Sequence, residues 1–317
     1  MKVLVTGASG FIGRALVDLL LTETGCQVLA AVRSRIDIEN VISRSIGDIN
    51  GDTDWSAALS GVDVVVHVAA RAHVLKECST NPSEDFQSVN YHGTVNLAKQ
   101  AVDAGVKRFI FISSIAVYGV DASDQPINEV SPVRPVTDYG KSKLAAEEQL
   151  LRLANQTKMQ VVIIRPPLVY DGEAPGNFRT LLKVVERSFP APFLSIKNRR
   201  SFIARANLVN FIVVCINNQN AANQIFVVSD NKDLSTPELI RLLAQGMKRK
   251  ARLIPVPRSI MKLCATIVGR KKVYSQLCES LYLDVSKARN LLEWSPVVPP
   301  EKAVVEAAKR YTNIRKV

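Results

Sequence analysis

A glycine-rich turn near the N-terminus is the sequence feature that most constrains the fold. The β-branched and apolar run 2–6 ends at Gly7, and two more glycines follow in the spacing GxxGxxG before an apolar-rich segment typical of a helix. A strand, a glycine turn and a helix in this order place backbone N–H groups at a helix N-terminus, where they can hold a pyrophosphate. The sequence therefore predicts a dinucleotide cofactor at this turn, contacted by Gly7, Gly10, Phe11, Ile12 and Gly13.

Strand-like apolar runs alternate with helical segments, and this alternation predicts a doubly wound parallel α/β sheet of the Rossmann type. Ligands of such sheets bind at the carboxyl ends of the strands. The groups that follow predicted strands are the glycine turn, Arg33, Ala69-Ala70, Ser113-Ser114 and Pro166-Pro167. We expect a cofactor-binding Rossmann domain over residues 1–167 and a smaller α/β substrate lobe over residues 168–317.

Individual elements can be placed from the apolar pattern. Strands are predicted over residues 2–6, 27–32, 62–68, 106–112, 161–164, 224–228 and 251–254. One long helix is predicted from Pro82 to Gly105, and another is predicted from an N-cap at Thr137 to about Asn155. Asn90 falls in the middle of the first helix, a costly place for an amide unless it is hydrogen-bonded. His67 lies within a buried strand and is expected to be a satisfied core histidine rather than a catalyst.

The end of the second strand bears on the choice of cofactor. An acidic residue at this position bonds the adenosine ribose and disfavours a 2′-phosphate, but this chain has Arg33, with Arg35 close behind. A guanidinium suits a phosphate, so NADP(H) is favoured, while NAD(H) and a pair of merely exposed arginines remain as alternatives. Asp48 and Ile49 are expected to flank the adenine. The other predicted cofactor contacts are Ala69, Ala70, Arg71, Asn90, Pro166, Leu168 and Val169.

Tyr139 and Lys143 lie four residues apart on a predicted helix and therefore share one face. A free tyrosine has a pKa near ~10, and a fixed ammonium beside it lowers that pKa toward the range of a general acid/base. Such pairs also decorate ordinary helices. The position of this pair beside predicted strand ends, with Ser114 at a neighbouring one, favours a catalytic role for Tyr139 and Lys143.

Composition and charge narrow the class of protein. Five scattered cysteines without CxxC spacing fit a reduced cytoplasm and predict neither a disulfide framework nor a metal cluster. No export signal and no apolar stretch of membrane-spanning length is evident in the sequence, so we expect a cytoplasmic protein. Residues 1–150 hold 13 Lys+Arg against 18 Asp+Glu, whereas residues 151–317 hold 28 against 11. Because no basic-aromatic RNA motif is present, this excess favours a phosphate-bearing ligand over nucleic acid.

The segment 258–272 combines apolar and basic residues. Its apolar members are Ile260, Met261, Leu263, Cys264, Ile267 and Val268. Its basic members are Arg258, Lys262, Arg270, Lys271 and Lys272. The preferred interpretation is a helix packed on the core of the small lobe; the alternative is weak peripheral contact with an anionic membrane.

With these motifs and the late run Asp284-Val285-Ser286-Lys287, the chain resembles the extended short-chain dehydrogenase/reductase family. More narrowly, it is similar to nucleotide-sugar epimerases, dehydratases and 4-keto reductases. The resemblance implies that Tyr139 is the acid/base, that Lys143 holds the nicotinamide ribose and lowers the tyrosine pKa, and that Ser114 bonds the reacting oxygen. It places Asn177, Phe178 and Arg200 at the nucleotide base and diphosphate of the substrate. It also implies a homodimer.

The same resemblance separates the possible reactions. Family dehydratases carry Asp-Glu after the hydroxyl residue, where this chain has Ile115-Ala116, which cannot move protons. An arginine at position 33 fits an NADPH-consuming reductase, and the runs 161–170 and 198–201 look closest to bacterial reductases of UDP-4-keto-6-deoxy-N-acetylhexosamines, which make surface-polysaccharide precursors. The alternative is a UDP-glucose or UDP-GlcNAc 4-epimerase with retained NAD. A cofactor-binding regulator without catalysis is disfavoured by the intact Ser114, Tyr139 and Lys143.

Overall fold

Seven parallel strands form the central sheet of the computed structural model, which describes residues 1–23, 25–34, 41–72 and 81–315. The strands are β1 Lys2–Thr6, β2 Gln27–Val32, β3 Ile42–Ser45, β4 Val64–His67, β5 Arg108–Ile112, β6 Gln160–Arg165, β7 Leu168–Tyr170, β8 Phe202–Ala204 and β9 Gln224–Val227. The sheet order is β3-β2-β1-β4-β5-β6-β9, and β7 pairs with β8 in a separate two-stranded sheet. The predicted Rossmann-type fold is confirmed. Arg35 and Cys78 lie outside the described residues.

Helices cover both faces of the sheet. They are α1 Phe11–Glu23, α2 Ser56–Leu59, α3 Pro82–Phe86, α4 Gly93–Asp103, α5 Asp138–Gln156, α6 Gly176–Glu186, α7 Arg205–Asn217, α8 Thr236–Gly246, α9 Arg258–Ile267, α10 Lys271–Cys278, α11 Ser286–Leu292 and α12 Pro300–Ile314. One core cluster packs α1 and α7 on one face, and a second packs α2, α4 and α5 on the other. Two-sided burial explains why the strands are continuously apolar.

The predicted helix 82–105 is present, but it is not uniform. A π-helical turn, Gln87–His92, separates α3 from α4, and Asn90 lies inside it. π-turns within helices commonly mark functional sites. The wider turn places the Asn90 amide in the interior, where it meets its partners.

A third core cluster joins β7, α6, α8 and α12 in the C-terminal part of the chain. The chain also returns β9 to the main sheet beside β6, so the sheet takes strands from both sides of residue 167. The division into residues 1–167 and 168–317 stays a prediction. The strand predicted over 251–254 is wrong. Leu253 makes only an isolated bridge to Ala191, because the chain beside it turns at residues 192–195 and does not continue as a strand.

Candidate active site

The carboxyl ends of β1 and β4 meet at the glycine turn. Gly7 has a φ of +65°, a left-handed conformation that glycine adopts without strain. A Cβ atom there would lie 2.9 Å from the backbone of Ala69, so the turn and the residues after β4 touch backbone to backbone. The two predicted cofactor segments, 7–13 and 69–71, are therefore adjacent.

Phe11 begins α1 and is tied to the C-terminal half of the chain. Its ring packs against the third core cluster, and the guanidinium of Arg205 lies 4.8 Å from the ring centroid. Arg205 also donates to the Phe11 carbonyl at 3.3 Å and pairs with Asp171 and Glu173. The Phe11 side chain is thus structural. The predicted contact of Phe11 with the cofactor would be made by its backbone N–H at the helix N-terminus. Sequence reasoning missed Arg205, since 194 residues separate it from Phe11.

Arg33 and Asp48 face each other beyond the ends of β2 and β3. The Arg33 Nε atom lies 2.9 Å from Asp48 Oδ1, and the two side chains are 81% and 79% exposed. An ion pair this exposed is worth at most about 1 kcal/mol, so either partner can exchange it for a ligand. Ile49 packs against the second core cluster. The predicted adenosine residues therefore lie together at one corner of the carboxyl edge.

His67 is a core histidine, as predicted. Its Nδ1 and Nε2 atoms lie 2.7 and 2.9 Å from the hydroxyls of Thr6 and Thr94. Thr94 donates to the carbonyl of Asn90, and Thr6 accepts the N–H groups of the two residues after His67. These directions require that Thr6 donates to Nδ1 and that Nε2–H donates to Thr94. Burial lowers the pKa of this neutral imidazole to about 3, and the charge of Lys143 acts in the same direction.

Asn90 joins three elements at the site. Its Oδ1 accepts the N–H of Arg71 at 2.8 Å, and its Nδ2 donates to the carbonyl of Arg71 at 3.0 Å and to Ser142 Oγ at 3.1 Å. Ser142 in turn donates to the carbonyl of Tyr139. The expectation that a buried Asn90 must be bonded is confirmed. Its amide holds the loop after β4 against the helix that carries Tyr139.

Ser114 and Tyr139 come together where β5 ends. Ser114 caps the 3₁₀ turn Ile115–Tyr118, with its Oγ accepting the N–H of Ala116 at 3.1 Å. Gly140 packs on the same turn, since a Cβ atom there would lie 2.6 Å from the Ala116 carbonyl oxygen. Burial raises the pKa of Tyr139 to about 12, and the hydrogen bond to Ser114 works in the opposite direction. In the folded chain Tyr139 is therefore protonated at neutral pH.

Lys143 lies one turn further along α5 and is only 1% exposed. Its Nζ atom donates to the carbonyl of Ile112 at 2.8 Å and lies 4.5 Å from the ring centroid of Phe111. Burial lowers the pKa of Lys143 to about 7, which the charge of Glu147 partly offsets. The expectation that Lys143 lowers the pKa of Tyr139 is not met in the chain alone, because burial dominates both groups.

Glu147 continues the polar face of α5 beyond Lys143. Its carboxylate accepts three hydrogen bonds from Arg165, at 3.0 and 3.2 Å from Nε and at 2.5 Å from Nη2. Arg165 also donates to the Tyr118 hydroxyl at 2.9 Å, and that hydroxyl donates to the carbonyl of Asn128. Sequence reasoning missed this buried network. The spacing of Glu147, four residues after Lys143, was the signal that could have indicated it.

Pro166 and Pro167 directly follow β6 at the carboxyl edge of the sheet. The Pro166 carbonyl accepts the N–H of Ile115 at 3.1 Å, which fixes the Ser114 turn against β6. Leu168 and Val169 lie half-buried in β7 beside it. Pro166, Leu168 and Val169 all lie at the carboxyl edge, and their contacts with the cofactor stay predictions.

The predicted substrate residues lie in the C-terminal part of the chain. Asn177 is near the start of α6 and donates to Gln276 at 3.2 Å. The ring of Phe178 is buried 5.5 Å from that of Tyr170, so only its backbone is left for a ligand. One nitrogen of Arg200, Nη1, bonds three carbonyls, those of Asp121, Ser275 and Glu279. Through Gln276 and Ser275, α10 links Asn177 to Arg200.

The residues at the carboxyl edge fit a dinucleotide. The backbone cradle at Gly7 and the N-terminus of α1 suit a pyrophosphate, and a cationic Lys143 suits ribose hydroxyls. Among the described residues, no group of three or more His, Cys, Asp or Glu could hold a metal ion.

Comparison with known proteins agrees with this geometry. Residues 3–229 match the model of the NAD dependent epimerase/dehydratase family. The chain is 40% identical over 312 residues to a UDP-glucose 4-epimerase of Vibrio cholerae, covering 98% of this chain and 95% of that protein. It is 28% identical over 303 residues to an N-acetyl-alpha-D-glucosaminyl-diphospho-ditrans,octacis-undecaprenol 4-epimerase of Escherichia coli O157:H7, covering 91% and 89%.

Solved structures share the fold. The UDP-glucuronic acid 4-epimerase of Bacillus cereus in complex with NAD superposes with a TM-score of 0.79 at 23% identity, covering 98% of this chain and 96% of that one. The UDP-glucose 4-epimerase of Thermotoga maritima with UDP-glucose gives a TM-score of 0.77 at 21% identity, covering 100% of both chains.

Proposed function

The chain belongs to the NAD-dependent epimerase/dehydratase family, and from this premise we propose that it epimerises a UDP-hexose at C4 with retained NAD. The observation that carries the proposal is the meeting of Ser114, Tyr139 and Lys143 at the carboxyl edge of the sheet, beside the glycine turn. The 40%-identical relative, a UDP-glucose 4-epimerase aligned over nearly the whole chain, supports the same reaction. This choice departs from the reductase that the sequence favoured, which no relative named above supports.

In this proposal Tyr139 moves the proton at O4 of the sugar. When bound, the nicotinamide supplies the hydride acceptor and returns the hydride. As the phenolate, Tyr139 would take the proton from O4 while C4 is oxidised, and a 4-keto sugar would result. After the sugar turns, C4 would be reduced on its other face and Tyr139 would give the proton back to O4. Ser114 bonds O4 throughout, and a charged Lys143 holds the ribose and favours the Tyr139 phenolate.

Loss of water at C5 and C6 is disfavoured by the side chains after Ser114. A 4,6-dehydratase needs a carboxylic acid and a carboxylate there, but Ile115 packs into an apolar cluster and Ala116 has no ionisable group. Proton transfer is therefore limited to the position that Tyr139 reaches. A C4 epimerase and a C4 keto reductase both need only that position.

Reduction of a UDP-4-keto-6-deoxy-N-acetylhexosamine by NADPH is the second candidate, and Arg33 is the observation that favours it. Its guanidinium lies at the end of β2, next to Asp48, and the weak exposed pair between them can give way to a 2′-phosphate. A reductase consumes and exchanges its cofactor, whereas an epimerase retains it. Whether the purified protein retains its nicotinamide cofactor therefore distinguishes the epimerase from the reductase.

The test starts from the purified full chain. Denaturation should release NAD, and the native protein should interconvert UDP-glucose or UDP-GlcNAc and its C4 epimer without added cofactor. Stoichiometric oxidation of added NADPH by a UDP-4-keto-6-deoxy sugar, with no retained NAD, would replace the epimerase by the reductase. If the folded protein shows neither activity, the remaining hypothesis is a cofactor-binding regulator that has no catalytic activity.

We also propose that the protein acts as a homodimer in the cytoplasm. The support is the family resemblance for the dimer and, for a reducing compartment, the five scattered cysteines without CxxC spacing. Sedimentation equilibrium checks the first proposal and fractionation of cells checks the second. A monomer across the working concentration range would refute the dimer.

A further inference from the structure

The apolar face of α9 lies on the protein surface, contrary to the packed helix that the sequence favoured. Ile260, Leu263 and Ile267 are 51%, 62% and 75% exposed, and Val268 is 69% exposed. Ile260, Leu263 and Ile267 are spaced i, i+3 and i+7 and so form one stripe along the helix. Only Met261 of α9 is buried, against Ile196 and Cys278. Contiguous exposed apolar side chains of this kind mark interaction sites.

Positive charge is concentrated in the part of the sequence that contains this stripe. The 40 residues between Glu238 and Glu279 hold ten lysines and arginines and no aspartate or glutamate. These are Arg241, Lys248, Arg249, Lys250, Arg252, Arg258, Lys262, Arg270, Lys271 and Lys272. None of the ten forms an ion pair with any residue that the structure describes. Their charge is therefore available to an external partner.

The surface adjoins the predicted substrate residues. After α9 the chain turns at Gly269 into α10, and Tyr274 and Leu277 of α10 pack on the cluster that contains Met261. The same helix contacts Asn177 through Gln276 and Arg200 through Ser275. Whatever binds the α9 surface is thus one helix away from Asn177 and Arg200.

We infer that α9 and its flanking cations form a docking surface for an anionic lipid bilayer. An apolar stripe gains free energy by leaving water for the acyl boundary, and lysine and arginine side chains beside it reach the anionic headgroups. A second copy of the chain is a poorer occupant, because a two-fold interface sets the same patch against itself and would bring like charges together. Docking is peripheral, since no helix among the described ranges is long and apolar enough to cross a bilayer.

Co-sedimentation of the full chain with vesicles tests this inference. We expect binding to vesicles of phosphatidylcholine mixed with phosphatidylglycerol, little binding to phosphatidylcholine alone, and release as salt screens the charges. The variant carrying Leu263→Glu and Ile267→Glu should bind at least about tenfold more weakly, since both apolar contacts are lost and two negative charges are added. Both side chains are exposed, so the variant should keep its fold and its activity on a soluble UDP-sugar.

Val130→Glu is the matched control. Val130 is 89% exposed and lies outside the α9 surface, so the change adds a charge at an apolar surface residue without touching the stripe. Equal loss of binding in the control and the α9 variant would overturn the inference, as would binding that ignores lipid charge. Absence of vesicle binding, together with an α9 variant that converts a dimer to a monomer, would assign the surface to a second copy instead.

Discussion

The Nζ atom of Lys143 donates to the backbone carbonyl of Ile112, 2.8 Å away. The side chain predicted to hold the ribose therefore also pins α5 to the end of β5, two residues before Ser114. Burial has lowered the pKa of Lys143 to about 7, so its charge at neutral pH depends on its surroundings. One buried lysine therefore both holds α5 against β5 and carries a weakened charge beside the predicted catalytic residues.

Replacing Tyr139 by phenylalanine should lower kcat by about 10²–10⁴-fold, the usual contribution of a positioned acid/base. The ring and its edge contact with Phe86 are kept, so the thermal midpoint should change little. Steady-state kinetics and a melting curve check this. Tyr282→Phe, which loses only a surface bond to the Asp124 carbonyl, is the control and should keep full activity. Undiminished turnover in Tyr139→Phe would remove Tyr139 from the mechanism.

Lys143→Met should abolish most activity and change the pH dependence of stability. The folded pKa of about 7 lies below the ordinary lysine pKa of 10.5, so between these values the unfolded chain binds more protons and stability rises with pH. The variant should lack this rise. Denaturant titrations from neutral pH to about pH 10 measure it; above that, ionisation of unfolded tyrosines, including Tyr139, lowers stability again. If the stability of both proteins changes with pH in the same way, the lowered pKa of Lys143 is contradicted.

His67 should contribute to acid lability. Its folded pKa of about 3 lies below the ordinary histidine pKa of 6.5, so its contribution to stability is present above pH 6.5 and is lost as pH falls toward 3. Between pH 7 and pH 5 the loss amounts to about 2 kcal/mol for one group. His67→Gln can keep a donor to Thr94 and an acceptor for Thr6, so it should be less sensitive to acid than the parent. The difference of the two unfolding free energies across this range is the measurement.

Gly140→Ala should impair catalysis more than folding. The added methyl would meet the Ala116 carbonyl oxygen at 2.6 Å, which forces α5 away from the Ser114 turn and separates the two hydroxyls. We expect kcat to fall by about 10²-fold. Gly51→Ala is the control, because its methyl would meet His92 at an ordinary 3.5 Å. Equal activity of both variants would show that the turn tolerates the shift.

Arg165→Met should destabilise the fold by about 3 kcal/mol, because it leaves the Glu147 carboxylate buried without its partner. Adding Glu147→Met should recover part of that loss, since two apolar side chains replace two charges. Chemical denaturation of the single and double variants gives the coupling free energy. If the loss in the free energy of unfolding of the double variant equals the sum of the losses of the two single variants, the two groups act independently.

Much of the site could be read from local sequence. The glycine turn, the Thr137 cap and the placement of Tyr139 and Lys143 on one helix follow from spacing and propensity, and Thr137 does accept the N–H of Gly140. Their convergence follows from parallel topology, because strand ends share one edge. The strand predicted at 251–254 was wrong, and the predicted packing of α9 holds for Met261 alone among its long apolar side chains, because apolar content does not say which surface a segment meets.

The sequence by itself determined the doubly wound sheet and the edge at which chemistry can occur, since both depend on periodicities within a few residues. Only the tertiary structure decided the electrostatics of that edge. The protonated Tyr139, the weakly basic Lys143 and the neutral His67 depend on burial by residues distant in sequence, and so does the pairing of Glu147 with Arg165. A pKa is set by what surrounds a group in space, and a linear pattern does not contain that information.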